Sequence, residues 1–308
     1  MKGRAHPGAN ARRPTSMLLG GAVLCLLAQM PAALAETSDA SCGEEILVSL
    51  YTAGDVARVD ACDGSLLGTL DDGGRLAGAQ TLRMGPDGLL YVVSEENHRI
   101  LRFDGGTLAF VDVWLEDARL AKPTALDFGP DGAAYIGSYA GGRVWRFADG
   151  ELSVFVEDEA LAGIDAGMAF DAAGDLWIPA FDGHVVLVVD GASGRVRRRI
   201  TAGLESPRML LPEPAGGAVL IGSWANDRIL RLALHDPDAD PELLFERSRP
   251  SGLAWLADGR LLTISDVGGP IYAVTIGADG EVTPEEIARH ETLEAMTYLL
   301  VRAAPASP

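Results

Sequence analysis

The tetrapeptide Gly-Pro-Asp-Gly stands at 85–88 and again at 129–132, and weaker copies follow as "DAAG" (171–174), "PAGG" (214–217) and "LADG" (256–259). Their final glycines, Gly88, Gly132, Gly174, Gly217 and Gly259, are spaced 44, 42, 43 and 42 residues apart. Turn chemistry that returns at a fixed period in the forties marks a stacked or radial array of like units. Each turn is followed by the same kind of run: "LLYVVS" (89), "AAYIGS" (133), "DLWIPA" (175), "AVLIGS" (218) and "RLLTIS" (260). After a short polar tip come "RILRF" (99), "RVWRF" (143), "HVVLVV" (184), "RILRL" (228) and "PIYAV" (270). These runs are rich in β-branched and aromatic residues and bounded by Gly, Asp and Asn, so they read as strands. With one run before each turn and an outer run after, each unit is a four-stranded antiparallel meander of about 43 residues. The segment "PEEIARH" (284–290) reads instead as a short helical turn.

Five units are complete, and each end of the chain holds part of a sixth. Residues 45–70 supply a second, third and fourth strand without a first, and "TLEAMTYLLV" (292–301) supplies a first strand and stops. Joined, they close a ring. An open solenoid would need capping ends rather than complementary halves, whereas a closed ring leaves no large open edge. The expected fold is all-β: a six-bladed propeller whose C-terminal strand joins the N-terminal blade.

Ahead of the repeats, Arg12 and Arg13 precede the apolar run 17–30, and "PAALA" follows with small residues at Ala33 and Ala35. This is the order of a secretory signal peptide, and the run is shorter than the ~20 residues of a spanning helix. The expected organisation is a signal peptide at 1–35 and a propeller domain at 36–308, with the protein periplasmic or secreted. Export removes Cys25 and leaves Cys42 and Cys62 as a pair in an oxidising compartment, hence an expected disulfide between them. The chain carries 25 basic and 44 acidic residues, a formal charge of −19, and the leader holds Lys2, Arg4, Arg12 and Arg13 and no acid. A surface so acidic repels phosphate backbones and anionic headgroups, so nucleic acid and membrane are not expected partners. The expected state is a monomer.

The stretch "LYVVSEENHRILRFD" (90–104), with Asn97-His98-Arg99 at its tip, resembles the NHL repeat. The blades as a set look like those of NHL propellers, streptogramin-lyase-like proteins and the SMP-30/gluconolactonase group. The resemblance implies a binding site at the mouth of the central channel. Two rings of residues border that mouth. At the start of the innermost strands of blades one to six stand Glu294, Gln80, Thr124, Ala166, Arg208 and Ser251; at the second-strand tips stand Tyr51, Glu95, Tyr139, Phe181, Trp224 and Asp266. Four aromatics on one rim, in a chain with 6% aromatic residues, suit a small cyclic ligand, a glycan or a protein segment. Arg208 and Glu294 are expected to orient the ligand, with Gln80, Thr124 and Ser251 as further polar contacts and Trp224, Phe181, Tyr139 and Tyr51 as the rim.

The gluconolactonase resemblance also implies Ca²⁺ or another divalent cation held by a Glu on blade one and Asn or Asp on later blades. Glu294 matches the first, but Ala166 offers no ligand and Arg208 brings a fixed positive charge; Asp165 compensates only through a register shift. No metal or other cofactor is therefore expected. A Gly-x-Ser-x-Gly elbow is missing, Ser94, Ser138, Ser223 and Ser265 recur at one structural position, and His98, His184, His235 and His290 are scattered. The reading is a non-catalytic binder. Its alternative is a divergent lactonase-like hydrolase or lyase that uses Glu294, Asp165 and Arg208.

Overall fold

A computed structural model describes residues 43–236 and 238–304. The leader expected at 1–35 and Cys42, with its pairing to Cys62, lie outside the described residues. Among these residues the strands form six four-stranded antiparallel sheets. The first strands, in blade order, are Met296–Ala303, Ala79–Met84, Pro123–Phe128, Ala169–Phe170, Pro207–Pro212 and Pro250–Trp255. Each contacts the first strand of the next blade, and Met296–Ala303 contacts both Ala79–Met84 and Pro250–Trp255, so the ring is closed around these strands.

Burial falls from the second strands outward. Ala218–Ser223 is buried at every position, because neighbouring blades cover both faces of its sheet, and this is why the second runs read as continuous apolar stretches. Leu66–Thr69, the outermost strand of blade one, is exposed throughout. The helical reading of 284–290 is overturned: Val282–Ala288 is the outer strand of blade six, with Pro284 opposite Val274. An edge strand has one side without a partner, so it tolerates a proline, and the 3.6-residue spacing there is incidental.

Blade one is assembled from both ends of the chain. Glu44–Leu50 pairs with Met296–Ala303 on one side and with Asp55–Asp60 on the other. Within this seam the fully buried Glu45 receives Arg302 Nη1 at 2.9 Å and Arg58 Nε at 2.5 Å. Arg302 Nη2 also donates to the Gly106 carbonyl of blade two at 2.7 Å, so the closing strand is tied to two blades by one guanidinium.

The turn glycines do what the repeat requires. Gly88, Gly132, Gly174 and Gly259 have φ between 77° and 89°. In blade five the left-handed residue is Gly216 rather than the expected Gly217, so that turn is displaced by one. Turn aspartates receive the aromatic of the following strand: Tyr91 OH donates to Asp87, Tyr135 OH to Asp131 and Trp177 Nε1 to Asp171.

A second ruler runs through the other face. Gly78, Lys122, Gly163, Ser206, Arg249 and Ala295 all have positive φ and stand at the joint entering each blade. Joint carbonyls accept the tip N–H groups of Tyr51, Glu95, Tyr139, Phe181 and Trp224. The hairpin tips show the same backbone at Gly54, His98, Gly142, His184, Asp227 and Gly269. Where the tip is not glycine, its side chain accepts the N–H of the next joint. Lys122 N donates to His98 Nδ1 at 3.1 Å, Ser206 N to His184 Nδ1 at 3.0 Å, and Arg249 N to Asp227 Oδ1 at 2.9 Å. Glycine tips Gly54 and Gly142 face glycine joints Gly78 and Gly163, which carry no such strain. The neighbouring Asn97 and Asn226 donate to the carbonyls of Arg75 and Gly203 in the preceding joint. The Asn-His pair of the opening resemblance is thus a fastening between blades.

His98→Ala should therefore cost about 1–2 kcal/mol, the range for a stranded donor. His98→Asp should recover most of it, as Asp227 does in blade five. Urea unfolding of the wild type and the two variants measures this; an aspartate variant no more stable than the alanine one would refute the role of the acceptor.

Candidate functional site at the channel mouth

A cavity of about 300 Å³ opens on the face that carries the joints and tips. It is lined by Tyr51, Ala295 and Thr297 of blade one, Gln80 and Glu95 of blade two, and Tyr139 of blade three. Asp165 and Phe181 of blade four, Arg208 of blade five and Asp266 of blade six complete it. Only a site on the ring axis draws on all six blades.

The joint ruler fixes what each blade offers. Two residues beyond the positive-φ position lie Gln80, Thr124, Asp165, Arg208, Ser251 and Thr297. In blade four the residue is Asp165, not Ala166, because Ile164 bridges Ala180 where other blades pair their first residue with the recurrent serine. In blade one it is Thr297, not Glu294. Met296 pairs with Leu50 and Tyr298 with Ser49, which leaves Thr297 at the same bulge as Thr124. Glu294 is exposed and lines a neighbouring hollow with Asp266 and His290. The signal available in the sequence was the pair Gly78-x-Gln80 and Gly163-x-Asp165.

Three of the polar positions are consumed by the fold. Thr124 Oγ1 donates to Ile164 O at 2.6 Å, Ser251 Oγ to Met296 O at 2.6 Å, and Thr297 Oγ1 to Ala79 O at 2.8 Å. Each hydroxyl stitches one blade to the next, so Thr124 and Ser251 do not reach the cavity. Ser94, Ser138 and Ser223 bond the joint backbone in the same structural way.

The remaining polar groups form a charge cluster. Arg208, 8% exposed, has its Nε 3.2 Å from Asp165 Oδ2 and its Nη1 2.9 Å from Asp266 Oδ2. Asp266 Oδ2 also takes Trp224 Nε1 at 2.7 Å, so Trp224 stands behind the carboxylate, its ring 5.3 Å from that of Phe181. Burial pushes the Asp165 carboxyl above its ordinary value, opposed by the Arg208 charge and the Ala166 N–H. Burial does the same to Glu95, opposed by the amide of Gln80, whose Nε2 donates to Glu95 Oε2 at 2.7 Å. Tyr139 is pushed up to about 12, by burial first and then by Asp182 and Asp165.

These residues do not suit a divalent cation. The guanidinium of Arg208 already sits between Asp165 and Asp266, and among the described residues no three Asp, Glu, His or Cys are grouped to hold a metal. No histidine lines the cavity. His98 and His184 fasten joints, and His290 Nε2 lies 2.7 Å from Gly64 O.

Neither protein-family models nor curated proteins match this chain. Solved structures do. A chain of a nidogen–laminin complex aligns at 12% identity over 85% of this chain and 100% of that one, with a TM-score of 0.69. A streptogramin B lyase aligns at 12% identity over 81% of each chain, TM-score 0.62. The periplasmic gluconolactonase of Pseudomonas aeruginosa aligns at 20% identity over 79% of this chain and 82% of that one, TM-score 0.56. At such identities the likeness is one of architecture, and this chain is a six-bladed β-propeller of the kind seen in streptogramin B lyase and gluconolactonase structures.

Proposed function

We propose that this chain is an exported propeller that binds a ligand at its channel mouth without transforming it. The observation that carries the reading is the Arg208 guanidinium held between Asp165 and Asp266 in an axial cavity walled by Tyr51, Tyr139 and Phe181. Such a site is organised before a ligand arrives, so little ordering is required on binding. The leader-like segment at 1–35 supports export. The propeller-like chain of the nidogen–laminin complex supports proteins as an alternative class of partner for this architecture.

A second reading, a divergent hydrolase or lyase, is favoured by one feature: Glu95 is a buried carboxyl held above its usual value, as a general acid requires. The streptogramin B lyase and gluconolactonase likenesses support it only at the level of fold.

One preparation tests both. Protein is recovered from the extracytoplasmic fraction of expressing cells and heat-denatured, and released small molecules are identified by mass spectrometry. The wild type should release a stoichiometric compound with or without prior EDTA treatment, and Phe181→Ala should lose it. Retention of the full-length chain in the cytoplasm would sink the export claim. Turnover of a lactone panel, abolished by Glu95→Gln, would replace binding by catalysis.

A further inference from the structure

The charge and the unused acceptors of the mouth point to one chemical class. Of the lining residues, Glu95, Asp165 and Asp266 are acidic and Arg208 is basic. The adjoining hollow of about 630 Å³, which shares Tyr139, is lined by Glu157, Asp158, Glu159 and Asp182, with Lys122 as its cation. The whole approach is therefore negative, as is the chain at −19.

Two acceptors within the cavity wall have no donor. Gln80 is 4% exposed; its Nε2 is committed to Glu95, and its Oε1 is buried without a partner. Asp266 spends Oδ2 on both Arg208 and Trp224, while its Oδ1 is buried without a partner. A buried acceptor without a donor is costly, so a pair of them at one cavity implies that a donor is brought by something else. Tyr51, Tyr139 and Phe181 line the same cavity, and the face of an aromatic ring attracts positive charge. Trp224 already carries one such contact on its own ring, the Arg249 guanidinium 4.7 Å from the centroid.

Resting on the mouth reading above, we propose that the ligand is a small organic cation, a protonated amine whose N–H groups are accepted by Gln80 Oε1 and Asp266 Oδ1. An anionic ligand would meet three carboxylates, and the single guanidinium already pairs with two of them and, of its buried nitrogens, leaves only Nε without a hydrogen-bond partner. A neutral polyol would satisfy the acceptors but gain nothing from the field.

Benzylamine, benzyl alcohol and benzoate share one shape and differ in charge, and serve as probes by calorimetry at neutral pH. Benzylammonium should bind about tenfold or more tightly than benzyl alcohol, with benzoate weakest, the tenfold being one charge-assisted hydrogen bond. Gln80→Met should remove about tenfold of the benzylammonium affinity and clearly less of the benzyl alcohol affinity, since the hydroxyl donates to Oε1 without the help of a charge. Phe181→Ala should weaken both. Benzyl alcohol or benzoate binding as tightly as the amine, and still sensitive to Phe181→Ala, would overturn the cation class and leave the mouth reading standing. If none of the three binds, the cation inference fails. The response of the co-purified compound to Phe181→Ala then decides the mouth separately.

Discussion

A chain that stops before Thr292 is expected to lose its cooperative unfolding transition rather than to melt a few degrees early. The missing strand buries Met296, Tyr298 and Leu299, each worth roughly 1.5–3 kcal/mol, and removes the second partner of Glu44–Leu50. Its loss also strips Arg302 from Glu45, a carboxylate with no exposure to water. The sum approaches the whole stability of an ordinary domain, about 5–15 kcal/mol. In the intact chain, Arg302→Met should cost about 3 kcal/mol, because it breaks a buried pair from one side while Arg58 remains. Urea unfolding followed by far-ultraviolet dichroism reads both. A truncated chain with an unchanged midpoint and slope would mean that the ring does not depend on this seam.

The second large effect concerns Arg208. The sequence alone suggests a residue that orients a ligand with Glu294 or pairs with Glu294 when the site is empty; the structure makes it the counter-charge of Asp165 and Asp266. Arg208→Met should destabilise the protein by about 3 kcal/mol at neutral pH, because Asp165 becomes an uncompensated buried charge. The pH dependence has a definite sign. The Asp165 carboxyl is held above its ordinary 3.8, so as pH falls the folded protein takes up this proton before the unfolded chain does. Its contribution to stability is therefore present at low pH and lost as pH rises through the folded value. Arg208 pulls that value down, and removing it moves the window upward. The variant should thus approach the wild type as pH falls and fall furthest behind at neutrality and above. Asp165→Asn in the Arg208→Met background should recover much of the loss. A deficit that does not change with pH would show that Asp165 is not the group left behind.

The architecture was legible because it repeats. Glycines at a period near 43 and apolar runs between them dictate six sheets, and the two partial units dictate the closure. The mouth was legible only where the repeat is regular. Counting from their strands puts Gln80, Arg208 and Phe181 at the mouth, and all three line the cavity. Blade four pairs only two residues of its first strand, Ala169–Phe170, so strand pattern gives no register there, and Asp165 is located by the backbone of Gly163. Blade one has no turn before its first strand to count from, and Ala295 in a left-handed conformation is invisible to propensity. Counting by strand pattern therefore lands on Glu294, where the structure has Thr297. The same cause hid the fastening role of His98 and His184: a histidine at positive φ accepting a distant N–H is a tertiary fact, separated by 24 and 22 residues in the chain.

The seam also sets an order in time. Glu45 and Arg302 are 257 positions apart, and synthesis delivers them in that order. Until the last strand emerges, Glu44–Leu50 presents a free edge and Glu45 lacks one of its two cations. Blades two to six can stack as they appear, since each is complete within about 43 residues. The ring itself cannot form until Met296–Ala303 has been delivered. A nascent chain held in that state offers an unpaired strand to any neighbour, including the C-terminal strand of a second copy. Fast delivery of Met296–Ala303 thus protects against exchange between chains, and a pause just before Met296 would promote it.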